Sequence, residues 1–247
     1  MQQYLVILFS LLAVVAADRT ITVKNNCKYT IWPGVFTPPA ANKAIPNVVT
    51  GWKAPPGHVK KFKVPEKWTS GRIWARTGCD FSKGALNCHT GACNGGLKCD
   101  KNTGTGVPPA SLAEWSLGDL DWYDVSLVDG FNVPMKITPT GGCPVATCKT
   151  NLNPKCPNDI AKKVNGKKVG CLSACAANLD GHSANSTNCC SGSFNTPEKC
   201  PKSKVAHYDF FKKGCPRSYA YAYDEKSGNA LFTCKKKPSY TLTFCPK

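Results

Sequence analysis

The segment LAEWSLGDLDWYDVSLVDG, which begins at Leu112, concentrates carboxylates in an otherwise basic chain. It contains five of the 15 acidic residues, whereas the whole chain has 32 Lys and Arg and a formal net charge of +17. No Lys or Arg lies between Lys101 and Lys136. Carboxylates crowded together without a neutralising cation raise one another's pKa, so one of them can stay protonated as a general acid. Hydrolysis of a glycosidic bond needs such an acid and a second carboxylate as nucleophile or base.

The spacing of Asp124 and Asp129 does not by itself place both carboxylates in one site. Residues an odd number apart point to opposite faces of a regular strand. The two side chains converge only if the strand breaks just before Asp129, which Gly130 permits. The alternative is that the acids form a solvated edge, with Asp119 and Asp121 as turn residues.

Alternating apolar and polar residues predict strands along most of the chain. Over residues 19–36, this alternation and the pair Asn25-Asn26 predict two short strands joined by a hairpin. Further strands are predicted in HVKKFKV (58–64), GRIWARTGC (71–79), DWYDVSLVDG (121–130), PMKITPT (134–140) and YTLTFCP (240–246). The best helical candidate is VGCLSACAANLDG at 169–181, where apolar residues recur at helical spacing before a terminal Gly. The pattern indicates a mainly β protein.

Residues 1–17 have the character of a secretory signal peptide. They carry no charge and are mostly apolar, and Val15 and Ala17 are small residues in the positions that precede a signal-peptidase cut. The mature chain is therefore predicted to start at Asp18. Sixteen Cys in an exported chain imply eight disulfides. A metal site is disfavoured, because no C-x-x-C pair is present and the His are not at finger-like spacing.

The positive charge is spread over several lysine clusters, including Lys60-Lys61 and Lys235-Lys236-Lys237. So large a charge favours association with anionic surfaces such as acidic wall polymers or membrane headgroups. Each single cluster is also explained as a solvated face that keeps the protein soluble. Export disfavours nucleic acid as a partner, and we expect a monomer. Asn185-Ser186-Thr187 is a sequon for N-glycosylation.

Several motifs together resemble one family. They are GRIWARTGC (71–79), GVPPASLAEWSL (106–117), YDVSLVDGFNVPM (123–135), NCCSGS (188–193) and YAYAYDE (219–225). With the sixteen Cys and the closing FCP, they resemble the thaumatin-like, or pathogenesis-related class 5, family over the whole mature chain. Phrases such as WPGVFTP and NLDGHSANSTNCC are more similar to fungal members than to plant ones.

This resemblance implies a mainly β fold, a flattened β-sandwich with two small disulfide-rich lobes. The sandwich core would comprise residues 18–76, 101–149 and 216–247. The small lobe would be 77–100 and the larger lobe 150–215. The order of the cysteines then implies eight pairs, which spacing alone does not give: Cys27–Cys245, Cys79–Cys88, Cys93–Cys99, Cys143–Cys234, Cys148–Cys215, Cys156–Cys171, Cys175–Cys189 and Cys190–Cys200.

The resemblance also implies an acidic cleft between the sandwich and the lobes. The matching positions in the motifs GRIW, LAEW, YDVSL, LVDG and AYDE are Arg72, Glu114, Asp124, Asp129 and Asp224. Glu225, next to the last of them, could share its role. Glu114 and Asp129 would be the catalytic pair, with Asp124 as the alternative second carboxylate. Arg72 would orient a carboxylate or limit the repulsion between them.

The function implied is that of a secreted protein, extracellular or in the cell wall, that binds β-1,3-glucan or another wall polysaccharide. The same cleft would support weak endo-β-1,3-glucanase activity, in antifungal defence or wall remodelling. Binding without catalysis is an open alternative. A further alternative is a non-catalytic antifungal protein that permeabilises membranes through its basic surface. No cofactor is implied.

Overall fold

The computed structural model describes residues 19–40 and 44–247. The predicted signal peptide and Asp18 lie outside these residues, so the cleavage site stays a prediction. The described chain is mainly β. Its strands are β1 (Arg19–Asn25), β2 (Ile31–Phe36), β3 (Val59–Val64), β4 (Gly71–Thr77), β5 (Leu112–Ser116), β6 (Asp121–Ser126), β7 (Met135–Pro139), β8 (Ala146–Cys148), β9 (Ala161–Val164), β10 (Lys167–Cys171), β11 (Leu231–Cys234) and β12 (Tyr240–Phe244).

The helical elements of the described residues are short. The α-helix α1 is Tyr208–Gly214, and 3-10 turns lie at Phe81–Lys83, Asn153–Lys155, Gly192–Phe194, Lys202–Lys204 and Asp224–Ser227. Within residues 19–40 and 44–247, no helix has the length and apolar character needed to span a membrane.

Two five-stranded sheets form the body of the molecule. The first sheet has the order β3-β1-β12-β7-β8 and the second β11-β6-β5-β4-β2, while β9 and β10 form a separate two-stranded ribbon. Aromatic residues on the inner faces join the two sheets. Tyr240 of the first sheet makes edge contacts with Trp115 and Tyr123 of the second, at centroid distances of 6.1 and 5.2 Å. The mainly β architecture predicted from the sequence is therefore confirmed.

The predicted hairpin over 19–36 is wrong, although both of its strands form. β1 lies between β3 and β12 in the first sheet, whereas β2 is the edge strand of the second sheet. The side-chain amide of Asn25 donates to the Ala54 carbonyl at 2.8 Å, and the disulfide Cys27–Cys245 ties the following turn to the C-terminus. The chain therefore crosses from one sheet to the other instead of folding back.

The helix predicted over 169–181 is also wrong. Its first residues belong to β10, and the following residues form turns. The hydroxyl of Ser173 accepts the Ala176 amide hydrogen at 3.2 Å, and Asn178 has a positive φ of 49°. A side chain that competes for backbone hydrogens and a left-handed residue both interrupt a helix. Cys175, bonded to Cys189, further fixes this turn.

All sixteen cysteines are paired, in the eight combinations that the resemblance implied. Five of the eight bonds close loops of 15 residues or fewer, and these lie within 77–100 and 150–215. The other bonds link the ends of the chain and the body of the molecule. The exact boundaries of the two lobes stay predictions.

The outward side chains of the first sheet are mostly Thr and Lys. Thr22 pairs with Lys61, and Lys24, Thr243 and Lys136 lie in one row across three strands. The five strands of this sheet contain no acidic residue. Positive charge therefore covers one outer face of the sandwich.

A buried ion pair fixes the turn between β5 and β6. Arg19 and Asp121 are 3% and 0% exposed and form a close salt bridge. Asp121 also accepts the Gly118 amide hydrogen at 3.1 Å and the Tyr240 hydroxyl at 2.7 Å. Asp121 thus stabilises the turn, as predicted, and also binds residues of the opposite sheet.

We predict that Asp121→Asn destabilises the protein by about 3–5 kcal/mol, because it leaves the Arg19 guanidinium buried without a counterion. The matched control is Asp119→Asn in the same turn, where the side chain is 99% exposed and the cost should stay within about 0.5 kcal/mol. Denaturant unfolding with the disulfides intact measures both. Equal stability of the two variants would contradict the prediction.

Candidate functional site

Three predicted site residues form a row across the second sheet. Strand register pairs Arg72 of β4 with Glu114 of β5, and Glu114 with Asp124 of β6. Directly opposed residues in an antiparallel sheet have Cβ atoms about 4.5–5.5 Å apart. The alternate residues Ile73 and Trp115 are buried in the core between the sheets, so the charged row points outward.

Asp129 reaches the same site because β6 ends before it. The strand finishes at Ser126, and a turn closed by the Gly130 amide and the Leu127 carbonyl follows at 2.9 Å. Gly130 has a φ of +89°, and a Cβ there would lie 2.2 Å from the Cys171 carbonyl oxygen. Only glycine fits this turn, which removes the alternation that would have separated Asp124 from Asp129.

A cleft of about 360 Å³ on the outer face of the second sheet is lined by Arg72, Glu114, Asp124 and Asp129. Its further lining residues are Leu112, Ser126, Val128, Tyr219, Ala222 and Glu225. The floor is the outward side of β5 and β6, and one wall is the chain around Tyr219–Glu225. The cleft is thus a built acidic pocket rather than a solvated edge.

Burial raises the pKa of Glu114, and the nearby charge of Asp129 adds to the effect. The positive charge of Arg72 and a hydrogen bond from Ser126 oppose it. Burial also raises the pKa of Asp129, again against the influence of Arg72. Both members of the predicted catalytic pair therefore favour the protonated form more than a free carboxyl does.

Asp124 has the most strongly raised pKa of the row. Burial is the main cause, and the charges of Glu114 and Glu225 add to it, while Arg72 acts in the opposite direction. Its Oδ1 atom is buried and has no hydrogen-bond partner. A buried carboxylate without a donor is costly, so Asp124 is the group in the cleft that holds a proton most readily.

Arg72 is the cation that all three carboxyls share. Its Nε lies 3.5 Å from Glu114 Oε1, and its NH1 donates to the Thr105 hydroxyl at 3.3 Å. It lowers the pKa of Glu114, Asp124 and Asp129 alike. One guanidinium facing three carboxyls limits their repulsion without cancelling it.

Asp224 is not among the residues that line the cleft. It is 1% exposed and accepts hydrogen bonds from the Tyr208 hydroxyl at 2.9 Å, Lys212 Nζ at 2.8 Å and the Ala220 amide at 2.9 Å. Its carboxylate is thus neutralised inside the protein instead of lining the cleft. A role of Asp224 in glucan binding stays a prediction.

Glu225 is the neighbour that was expected to share the role of Asp224. It lines the cleft, is exposed, and accepts the Tyr219 hydroxyl at 3.1 Å. The sequence of α1 contains a signal for the internal hydrogen bonds of Asp224. Tyr208 and Lys212 are four residues apart and so share one helix face, which supplies two donors for a single buried acid.

The remaining site predictions concern a glycan and a metal. Asn185 is exposed, and its Oδ1 accepts the Ser193 amide hydrogen at 2.8 Å. Its glycosylation stays a prediction. Among the described residues, no group of three or more His, Cys, Asp and Glu is arranged to hold a metal ion.

Comparison with known proteins identifies relatives over almost the whole chain. The sequence model of the Thaumatin family matches residues 25–246. "Glucan endo-1,3-beta-glucosidase" of Prunus avium is 41% identical over 240 residues, which cover 94% of this chain and 92% of that protein. "Pathogenesis-related protein 5" of Arabidopsis thaliana is 41% identical over 251 residues, or 98% and 96% of the two chains. The closer resemblance to fungal members stays a prediction.

The fold is also similar to that of a solved bacterial enzyme. A laminaripentaose-producing β-1,3-glucanase of GH family 64 from Paenibacillus barengoltzii aligns with a TM-score of 0.57 and 12% identity. The alignment covers 92% of this chain and 74% of that one. At this identity the likeness shows a shared fold only.

We predict that Asp124→Asn makes the protein more stable than the parent at pH 7. The folded-state pKa of Asp124 lies above its unfolded value of about 3.9. Its contribution to stability is therefore complete at low pH and is lost as pH rises through the folded pKa. Asn stays neutral, so the advantage of the variant should vanish at acidic pH. Unfolding free energies measured across pH test this, with the exposed Asp209→Asn as control. A variant less stable than the parent at pH 7 would refute it.

We further predict opposite behaviour for the neighbours Asp224 and Glu225. Asp224→Asn should cost about 3 kcal/mol of stability, because Lys212 loses its buried counterion. Glu225→Gln should leave stability unchanged within about 0.5 kcal/mol and should lower the pKa of Asp124, since a like charge is removed. Thermal unfolding and carboxyl titration by NMR measure the two effects. If Glu225→Gln destabilises as strongly as Asp224→Asn, the assignment of their roles is wrong.

Proposed function

This chain belongs to the thaumatin family, and we propose that it is a secreted protein that binds β-1,3-glucan in the acidic cleft and hydrolyses it weakly. The observation that carries the proposal is that Glu114 and Asp129 line one cleft, both with raised pKa values. Acid chemistry near neutral pH needs this property. The Prunus avium relative, named "Glucan endo-1,3-beta-glucosidase", supports the choice of substrate.

Secretion is supported by the disulfides. Eight disulfides in a chain of this size are typical of proteins that fold in an oxidising compartment. The N-terminal residues have the pattern of an export signal. Extracellular space or the cell wall is therefore the proposed location, and a role in defence or wall remodelling follows from it.

Binding of a neutral glucan would use the carboxylates as hydrogen-bond acceptors. Sugar hydroxyls donate well to ionised oxygens, and charge-assisted bonds are the stronger class. The Arg72 guanidinium is a donor in the cleft that would bind sugar oxygens in return. Since most of these groups are partly buried, binding depends little on salt, unlike association through exposed lysines.

In hydrolysis, a protonated carboxyl and an ionised carboxylate would have different roles. Glu114 is 29% exposed and opens on the cleft, so we assign to it the protonation of the leaving oxygen. Asp129 would attack the anomeric carbon or activate water. Asp124 is the alternative second carboxylate. It lies opposite Glu114 in the sheet, and the raised pKa of Asp124 supports a proton shared within that pair.

The membrane alternative has less support from the structure. Proteins that insert into the bilayer interface present apolar and aromatic side chains beside their basic ones. The outward face of the first sheet offers mainly Lys and Thr, with Val59 as its exposed apolar residue. Such a face is suited to electrostatic attraction rather than to permeabilisation.

We predict that Glu114→Gln reduces release of reducing sugar from unbranched β-1,3-glucan by about a hundredfold or more while glucan binding persists. Gln keeps the shape of Glu and one oxygen that accepts hydrogen bonds but has no acidic proton. Asp129→Asn should abolish turnover in the same way, because an amide neither attacks nor activates water. Sugar release and isothermal titration calorimetry with soluble glucan are measured on the same samples.

Three results would revise the proposal. Equal loss of binding and turnover in both variants would make the acids a recognition surface only. Binding without turnover in the parent would leave a glucan-binding protein that is not an enzyme. If Asp124→Asn abolishes turnover and Glu114→Gln does not, the general acid is Asp124.

A further inference from the structure

The floor of the cleft follows one side of β6 and its continuation. Asp124, Ser126 and Val128 are two residues apart, and all three line the cleft. Trp122 is the next residue in this series and lies on the same side of the strand. At about 3.4 Å per residue, it lies roughly 7 Å from Asp124 along the floor. Trp122 therefore lies on the continuation of the cleft floor, just outside the enclosed part of the cleft.

The indole of Trp122 is unusually open. The side chain is 44% exposed, and it is the most exposed of the six tryptophans. Its neighbours across the sheet are Ser116 on β5 and Thr233 on β11. Both are small, so neither can cover the ring.

The backbone that carries Trp122 is rigid. Asp121 before it is held by Arg19 and Tyr240, and Tyr123 after it is 0% exposed and packed in the core. An exposed aromatic ring on a fixed strand loses little conformational entropy when it binds a ligand. This arrangement provides a flat apolar platform at a defined place beside the acids.

We infer that Trp122 forms an additional sugar-binding subsite, on which a glucose ring of a longer β-1,3-glucan stacks while neighbouring sugars occupy the acidic cleft. One face of a glucose ring carries C–H groups and is apolar, which matches the face of an indole. A glucan chain bound along the direction of β6 would extend from the acidic residues to Trp122. The inference rests on the proposed function, and it adds a preference for chain length.

The consequence is that affinity should increase in a step when the oligosaccharide becomes long enough to reach Trp122. A short oligosaccharide fills only the acidic cleft and gains nothing from the indole. A longer one gains the stacking contact and excludes water from the ring.

The experiment compares binding of β-1,3-gluco-oligosaccharides of increasing length to the full protein and its variants. Trp122→Ala should weaken binding of long oligosaccharides by about tenfold and leave short ones unchanged. Trp122→Phe keeps a ring and should restore most of the loss. Tyr29→Ala is the control, because Tyr29 is similarly exposed, at 46%, and lies beside Cys245 rather than on the cleft floor.

Fluorescence quenching by acrylamide gives a second readout. Because Trp122 is the most exposed indole, long oligosaccharides should protect part of the parent's fluorescence from the quencher, and this protection should disappear in Trp122→Ala. If Trp122→Ala binds every length as the parent does, the inference fails while the proposed function stands. If it weakens short and long oligosaccharides equally, Trp122 acts on the cleft itself and the subsite is refuted. A parent that binds no length refutes the proposed function and, with it, the subsite.

Discussion

The cleft depends on the register of three strands. Arg72, Glu114 and Asp124 meet only because β4, β5 and β6 pair at these positions, and a slip of one residue would turn the charged row into the core. The core behind the row prevents such a slip. Trp68 and Trp115 stack at 6.1 Å.

Gly71 shows how tightly this packing is set. A Cβ at Gly71 would lie 2.1 Å from the ring of Trp68, so the residue before Arg72 must be glycine for the indole to fit. Packing on the buried face of β4 and β5 thus fixes the position of the side chains on their exposed face. The chemistry proposed for the cleft is a consequence of aromatic packing on the opposite side of the same strands.

Strands were predicted correctly from the sequence where the alternation of buried and exposed residues is a local property of the strand. Period-two alternation identified strands such as β7 and β12, because one face of each is buried and the other is not. It failed for the hairpin over 19–36, since the alternation of a strand does not reveal its partner. The pairing of the eight disulfides and the set of cleft residues came from the family resemblance rather than from spacing. The contacts of Asp224 with Tyr208 and Lys212 were not foreseen, because these partners lie on a short helix whose position in space the motif does not contain.

The balance of charge in the cleft explains why the segment between Lys101 and Lys136 excludes basic residues. A second cation there would lower the pKa of every carboxyl and so oppose the effect of burial. Without Arg72, no positive charge would oppose the effect of burial on Asp129, and the pKa values of all three carboxyls would be raised further. One guanidinium among the three carboxyls opposes the rise in their pKa values without cancelling it. The outward lysines of the first sheet lie on the opposite face of the sandwich, where solvent and salt screen them.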